Sequence, residues 1–308
     1  MSTKAIFKFF ESNGAKIPSI GLGTANVTSD VSEVVYSSIK DGVRLIDTAS
    51  KYGSEEAVGK GIKKAIDEGI VKREDLFVIT KLSEFEITEP EVAVKRSLKT
   101  LGLDYIDIYL LHWPIFFHIT EKGEKKDKVP MHIMWPIMES FVEKGYTKFI
   151  GVSNYNVQSL LNLLSFCKIK PVVNEIEFHP YLYQKHLVEF CRSEDIILLG
   201  YNPLVRGPYS AETADEKNRN LLGEQTIIDL SKKYNKTVGQ IVLNWSVSRE
   251  VIPIPMTSSL HRMKENLGST DFAMEKEDLE KIDKLNRNQR YGRSEIWDIY
   301  DNKIDVFA

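Results

Sequence analysis

Eight short apolar runs, each followed by a longer amphipathic stretch, are the feature of this chain that most narrows what it can fold into. They fall at 17–23, 43–47, 76–80, 105–111, 148–152, 172–176, 196–200 and 251–254. Runs of this length, apolar without alternation, are the pattern of strands buried on both faces of a parallel sheet. The stretches between them carry apolar residues at helical spacing, over 30–40, 55–68, 89–101, 131–144, 157–166, 185–192, 225–234, 237–248 and 260–267. Asp30 or Ser32 stands ready to cap the first, Pro90 sits in the first turn of the third, and Thr237 opens the eighth. Met134, Trp135, Met138 and Trp245 lie at helical spacing and are expected in the core. Strand–helix repeats with no Pro/Ser-rich linker predict an α/β fold, a closed (β/α)8 TIM barrel that takes up 1–308 as one domain.

Ahead of the first barrel strand, Asn13-Gly14 between apolar segments is a two-residue turn signal and predicts a hairpin that plugs the barrel floor. Two connections are long, 113–130 and 201–222, and long loops at one end of a barrel carry function. With 41 Lys+Arg against 44 Asp+Glu the formal charge is −3, which supplies no electrostatic footprint for nucleic acid or an anionic membrane. No window approaches the roughly 20 apolar residues of a membrane span, and the start from Met1 to Phe10 has no apolar run of signal-peptide length. The only cysteines, Cys167 and Cys191, lie outside any Cys/His cluster, so material for a disulfide framework or a zinc site is lacking. A reduced, cytoplasmic location and a small-molecule partner are the expectation.

The active-site face of such a barrel lies at the C-terminal ends of its strands, so the polar residues that terminate the runs are the informative ones. They are Gly23-Thr24, Asp47-Thr48, Lys81, His112, Ser153-Asn154, Glu175, Tyr201-Asn202 and Met256-Thr257-Ser258. A lone terminal Asp or Lys is most simply a cap. Lys and His directly after buried strands, converging with Asp and Tyr, call for another explanation. If Asp47, Tyr52, Lys81 and His112 meet, an ammonium beside the phenol favours its ionised form and makes Tyr52 a usable acid. Asp47 then holds the lysine, and a neutral His112 donates to the same substrate oxygen. That is chemistry for reducing a carbonyl or oxidising an alcohol.

The segments Asp47-Thr-Ala-Ser-Lys-Tyr52-Gly53-Ser-Glu55, Ile79-Thr-Lys81, Leu111-His112-Trp113-Pro114, Gly151-Val-Ser153-Asn154 and Arg262-Met-Lys-Glu265-Asn266 resemble the aldo-keto reductase superfamily, in an order and spacing that runs from Pro18 to Asn286. The resemblance implies a monomeric, metal-free, nicotinamide-dependent reductase of aldehydes and ketones, with Asp47, Tyr52, Lys81 and His112 as the catalytic tetrad and Tyr52 as the general acid. It implies that Ser153, Asn154 and Glu175 hold the nicotinamide carboxamide, that Tyr201 stacks on its ring, and that Gly23, Thr24, Asp47 and Asn202 complete that end of the cofactor site. Leu204 and the loop after it would fold over the pyrophosphate. Met256, Thr257, Ser258, Arg262, Glu265 and Asn266 would take the adenosine end, beside a helix N-terminus that Ser258 or Ser259 caps.

Three departures matter. The family usually has glutamine where this chain has Glu175, which adds negative charge near the cofactor. Many NADPH-preferring members have lysine then serine where this chain has Met256-Thr257. Losing a charge-assisted contact of about 1.5–3 kcal/mol weakens the grip on a 2′-phosphate by roughly 10- to 150-fold. Arg262, with Thr257 and Ser258, is expected to keep NADPH (and NADP+) ahead of NADH. Ala25 and Ser83 replace tryptophans of well-studied aldose reductases, while Trp113 is kept. The expectation is a wider pocket, walled by Trp113, Phe116, Phe117 and Trp297, for bulky aldehydes, ketones, dicarbonyls or sugars.

Other readings are an NADH-preferring relative, a non-catalytic cofactor sensor, and a metal-dependent hydrolase or glycosidase built on Glu175 and Glu177 with Asp47, His112 and His179. The last fails on placement: a barrel metallohydrolase wants His-x-His after the first strand, where this chain has Gly23-Thr24-Ala25, and a barrel glycosidase wants carboxylates after strands that here end in His112 and Tyr201. Glu177 and His179 then read as structural.

Overall fold

Strand and helix alternate as the apolar runs require. The computed structural model describes residues 9–115, 117–119, 125–205 and 220–292. β1 (Phe9–Ser12) and β2 (Ala15–Pro18) form the expected antiparallel hairpin, its two turn residues Asn13 and Gly14 both at positive φ. There follow β3 (Leu22–Gly23), α1 (Val31–Asp41), β4 (Leu45–Asp47), α2 (Glu55–Asp67), β5 (Phe77–Leu82), α3 (Pro90–Leu101) and β6 (Ile106–Leu111). Next come β7 (Phe117–Ile119), β8 (Lys125–Lys128), α4 (Met131–Glu143), β9 (Thr147–Ser153), α5 (Val157–Leu164), β10 (Val173–Glu177), α6 (Lys185–Ser193) and β11 (Ile197–Tyr201). The described chain ends with α7 (Gln225–Tyr234), α8 (Val238–Ser248), β12 (Val251–Pro253), α9 (Leu260–Leu267) and α10 (Lys276–Asp283).

The sheet runs β3-β4-β5-β6-β9-β10-β11-β12, every pair parallel. Gly21 N–H donates to Pro253 O (3.0 Å) and Gly23 N–H to Pro255 O (3.1 Å), so the last strand meets the first and the barrel closes. Gly23 is required there, because a Cβ would come 2.9 Å from Ile254 O. Inside, Leu45, Ile79, Ile108, Leu110, Val173, Leu199 and Ile252 fill the barrel, and Ala15 and Ile17 of the hairpin close its floor. Outside, larger clusters pack the helices onto the strands, with Met134, Trp135, Met138 and Trp245 fully buried as expected. Asp30 caps α1 through the N–H groups of Ser32 and Glu33, and Thr237 with Gln240 forms a capping box on α8.

Three expectations are corrected. The run 17–23 is not one strand: Pro18, with no N–H for a ladder, ends β2, and only Leu22–Gly23 joins the barrel. The connection 113–130 carries the small antiparallel pair β7–β8. Beyond 260–267 there is a further helix, α10, whose sequence is mostly charged and whose buried apolar contacts reduce to Leu279 and Ile282, too few to stand out as a period.

Helices α2 and α3 approach unusually closely at Gly59, where a Cβ would overlap the carbonyl of Leu101. Alanine favours a helix over glycine by about 1 kcal/mol. Gly59→Ala is nevertheless expected to destabilise the fold by about 1–3 kcal/mol, since overpacking against backbone cannot relax cheaply. A lowered urea midpoint with unchanged slope is the predicted readout; an unchanged midpoint would contradict the close packing.

Candidate active site

One rule of side-chain direction builds the site. Inward positions recur every second residue, so the apolar layer of the barrel is followed two residues later by a polar one. Leu45 leads to Asp47, Ile79 to Lys81, Leu110 to His112, Val173 to Glu175 and Leu199 to Tyr201. Together with Ser153, which ends β9, and Asn154 after it, these residues gather at the C-terminal mouth, and all but Lys81 line a cavity of about 820 Å³. Lys81 lies just behind the wall, with no exposed surface.

Lys81 Nζ donates to Asp47 Oδ2 (2.6 Å), to Thr48 O (3.1 Å) and to the Tyr52 hydroxyl (3.5 Å), and lies 3.3 Å from Glu175 Oε2. Burial opposes its charge, but the two carboxyl groups outweigh it and hold the Lys81 pKa above the ordinary lysine value. Burial raises the Asp47 carboxyl, and Lys81 offsets only part of that. Burial, followed by the charge of Asp47, pushes Glu175 up to about 8. Tyr52 is carried by a 3₁₀ turn over Ser50–Tyr52 that Gly53 ends at φ 67°. Ser50 Oγ anchors that turn to Glu86 (2.7 Å). His112 meets the Tyr52 ring edge-on at 5.7 Å. Burial, then Lys81 and Lys51, press its pKa well below the ordinary histidine value, so the ring is neutral at pH 7, and its Nδ1 has no hydrogen-bond partner among the described residues. The four residues proposed from sequence therefore stand together.

Asn154 sits at φ 65°, a left-handed turn that asparagine tolerates. Its Nδ2 donates to His112 O (3.1 Å) and its Oδ1 accepts from the Tyr201 hydroxyl (2.9 Å), which fixes Tyr201 across the mouth. Ser153 Oγ donates to Glu175 O (3.1 Å). Gly23, Asn202, Leu204, Met256, Thr257, Ser258, Arg262, Glu265 and Asn266 line the same cavity, as do Ala25 and Trp113. Besides Lys81, two expected residues are not at the wall. Thr24 turns its hydroxyl back to Asp47 O (2.9 Å), and the Ser83 amide and hydroxyl are taken up by Glu86 and Glu84 in the turn after β5. Ser258 and Ser259 do not cap α9 through their side chains; Thr257 Oγ1 accepts from Ser259 N–H (3.0 Å) instead. Phe116 and Trp297 lie outside the described residues.

Glu177, two residues beyond Glu175, is also fully buried, in a separate network. It accepts from Asn202 Nδ2 (3.0 Å) and the N–H groups of Tyr291 and Gly292, and stands 3.1 Å from His179 Nε2. Burial opposes its charge, but these bonds hold its pKa below the ordinary value. It is a clamp that fastens Gly292 against the cavity, in keeping with a structural role. Among the described residues no three His, Cys, Asp or Glu gather to hold a metal ion, and both cysteines are free.

The family model for the aldo/keto reductases matches residues 19–287. The chain belongs to this family. An NADH-dependent D-xylose reductase of Candida parapsilosis is 38% identical over 96% of each chain, and a glyoxal reductase of Bacillus subtilis is 38% identical over 91% of this chain and 93% of its own. Among solved structures, a Bombyx mori aldo-keto reductase in complex with NADP superposes with a TM-score of 0.86 at 34% identity, covering 97% of this chain and 98% of its own. Another aldo-keto reductase, complexed with NADPH, gives 0.87 at 31% identity, with 98% and 95% covered.

Sequence reasoning missed parts of this family barrel's mouth. Thr48 serves Lys81 through its backbone carbonyl, a contact no residue type announces. Lys51 lines the cavity and pairs with the fully buried Glu84 at 2.9 Å. Its position beside Tyr52 was the available signal.

Proposed function

We propose that this member of the family reduces aldehydes and ketones with NADPH, and that Tyr52 is its proton donor. The observation that carries the reading is the sealed ammonium of Lys81, held by Asp47 at 2.6 Å and turned toward the Tyr52 hydroxyl at 3.5 Å. A positive charge at that distance stabilises the anion left when the phenol gives up its proton.

The donor set fits a nicotinamide dinucleotide. Ser153, Asn154 and Glu175 offer amide-matching polar groups beside Tyr201, and Glu175 Oε2 has no hydrogen-bond partner. At the other end Arg262, Thr257 and Ser258 offer a cation and hydroxyls at the start of α9, suited to phosphate. Relatives that are NADH- or NAD(P)H-dependent reductases, and neighbours complexed with NADP and NADPH, support the class. When bound, the reduced nicotinamide supplies the hydride that reaches the carbonyl carbon. Neutral His112 donates to the carbonyl oxygen and orients it. Tyr52 delivers its proton to that oxygen as negative charge develops there. Lys81 holds the phenolate, and Asp47 fixes Lys81. Ala25 and Trp113 face the substrate end, where a small residue leaves room for bulky carbonyl compounds, including dicarbonyls and sugars.

Cofactor preference is testable by fluorescence titration with NADPH and NADH. The wild-type protein is expected to bind NADPH more tightly. Arg262→Ala is expected to lose roughly 10- to 150-fold in NADPH affinity, the worth of one charge-assisted contact, with little change for NADH. Tighter binding of NADH by the wild type would replace the NADPH assignment, and binding of either cofactor without carbonyl turnover would favour a sensor.

A further inference from the structure

We propose that Glu175 and Asp47 share a single proton behind the Lys81 ammonium, so that Glu175 is a positioning residue that sets the charge of the cluster governing Tyr52. The geometry leaves little choice. Two carboxyl groups converge on one ammonium, Asp47 at 2.6 Å and Glu175 at 3.3 Å, with side-chain exposures of 4%, 3% and zero for the lysine. Asp47 Oδ2 and Glu175 Oε2 both lie within 3.3 Å of the same nitrogen, so each carboxyl feels the other's charge as well as the cation's. Two buried carboxylates cannot both ionise against one cation without a net buried charge. With one proton shared the cluster is neutral; without it the cluster carries −1. Burial and the neighbouring Asp47 push Glu175 up to about 8, in the same direction.

The groups facing this cluster come from every side of the mouth. Asp47 belongs to β4, Lys81 to β5, Tyr52 to the 3₁₀ turn, neutral His112 follows β6, and Tyr201 ends β11, while Glu177, on β10 with Glu175, is occupied in its own clamp. Lys81 is the only cation among them in contact with both carboxyls. When the shared proton leaves to the cavity and solvent, the extra negative charge opposes ionisation of Tyr52. Alcohol oxidation, in which Tyr52 must accept a proton, is then held back at alkaline pH more than carbonyl reduction is. This kinetic consequence rests on the reading of Tyr52 as proton donor; the shared proton itself does not.

Infrared difference spectra of the cofactor-free protein test it directly. A protonated-carboxyl band is expected in the wild type at neutral pH, fading as pH rises through about 8. The band is expected to be lost in both Glu175→Gln and Asp47→Asn, because either carboxyl alone with Lys81 ionises. Glu55, another buried acid, cancels in the difference. Ultraviolet titration referenced to Tyr52→Phe is expected to place Tyr52 ionisation about one pH unit lower in Glu175→Gln than in the wild type. A wild type without the titrating band overturns the proposal even if neither variant folds, and so does an unmoved Tyr52 midpoint. If band and shift appear but no carbonyl is turned over, the shared proton stands and the reductase reading falls.

Discussion

Tyr52→Phe is expected to lower kcat for carbonyl reduction by roughly 10²- to 10⁴-fold, the usual worth of a positioned proton donor. Little else should change. The 3₁₀ turn that carries residue 52 is anchored by Ser50 to Glu86 and ended by Gly53, and none of these contacts uses the phenol oxygen. The edge-on packing against His112 is a ring contact that phenylalanine retains. Cofactor affinity and the unfolding midpoint are therefore expected to match the wild type, which separates loss of the proton from loss of the site. A fall of less than tenfold would mean that the proton comes from elsewhere, with His112 the nearest alternative.

Lys81→Met is expected to cost stability as well as activity. It deletes the one cation that faces two sealed carboxyl groups, and removing one partner of a buried pair destabilises by about 3–5 kcal/mol. Asp47 and Glu175 would then each hold a proton, where the wild type needs one for the pair. A carboxyl whose folded-state pKa lies above its unfolded value contributes stability that is present in acid and lost as pH rises through the folded value. The variant has one more such group than the wild type, so its shortfall should widen by about 1.4 kcal/mol for each pH unit above the ordinary carboxylate range. Urea midpoints at pH 5 and pH 8 read this out. A shortfall equal at both would show that the carboxyls do not depend on Lys81 for their charge.

Much of this was legible in the chain itself. The strand positions followed from apolar runs, and the convergence of Asp47, Lys81, His112, Glu175 and Tyr201 followed from the two-residue period that carries each barrel-filling residue to a polar one at the mouth. What was hidden depended on partners distant in sequence. Thr24 and Ser83 have the right types at the right strand ends, but Asp47 O and the turn residues Glu84 and Glu86 claim their polar groups. Glu175 read as one more contact for a cofactor amide. Its place beside Asp47 and Lys81 needed the register of β10 against β9 and the closure of the barrel. Helix α10 escaped because only Leu279 and Ile282 mark its buried side.

The central claim is that a carbonyl compound receives its hydride from NADPH in this cavity and its proton from Tyr52. The most direct measurement is the fate of deuterium from NADPH labelled at nicotinamide C4, with a bulky aldehyde or dicarbonyl as acceptor and Tyr52→Phe alongside. The account predicts deuterium on the carbinol carbon of the wild-type product and almost none formed by the variant. NADPH consumed without label in the product, or label transferred equally well by Tyr52→Phe, would contradict it.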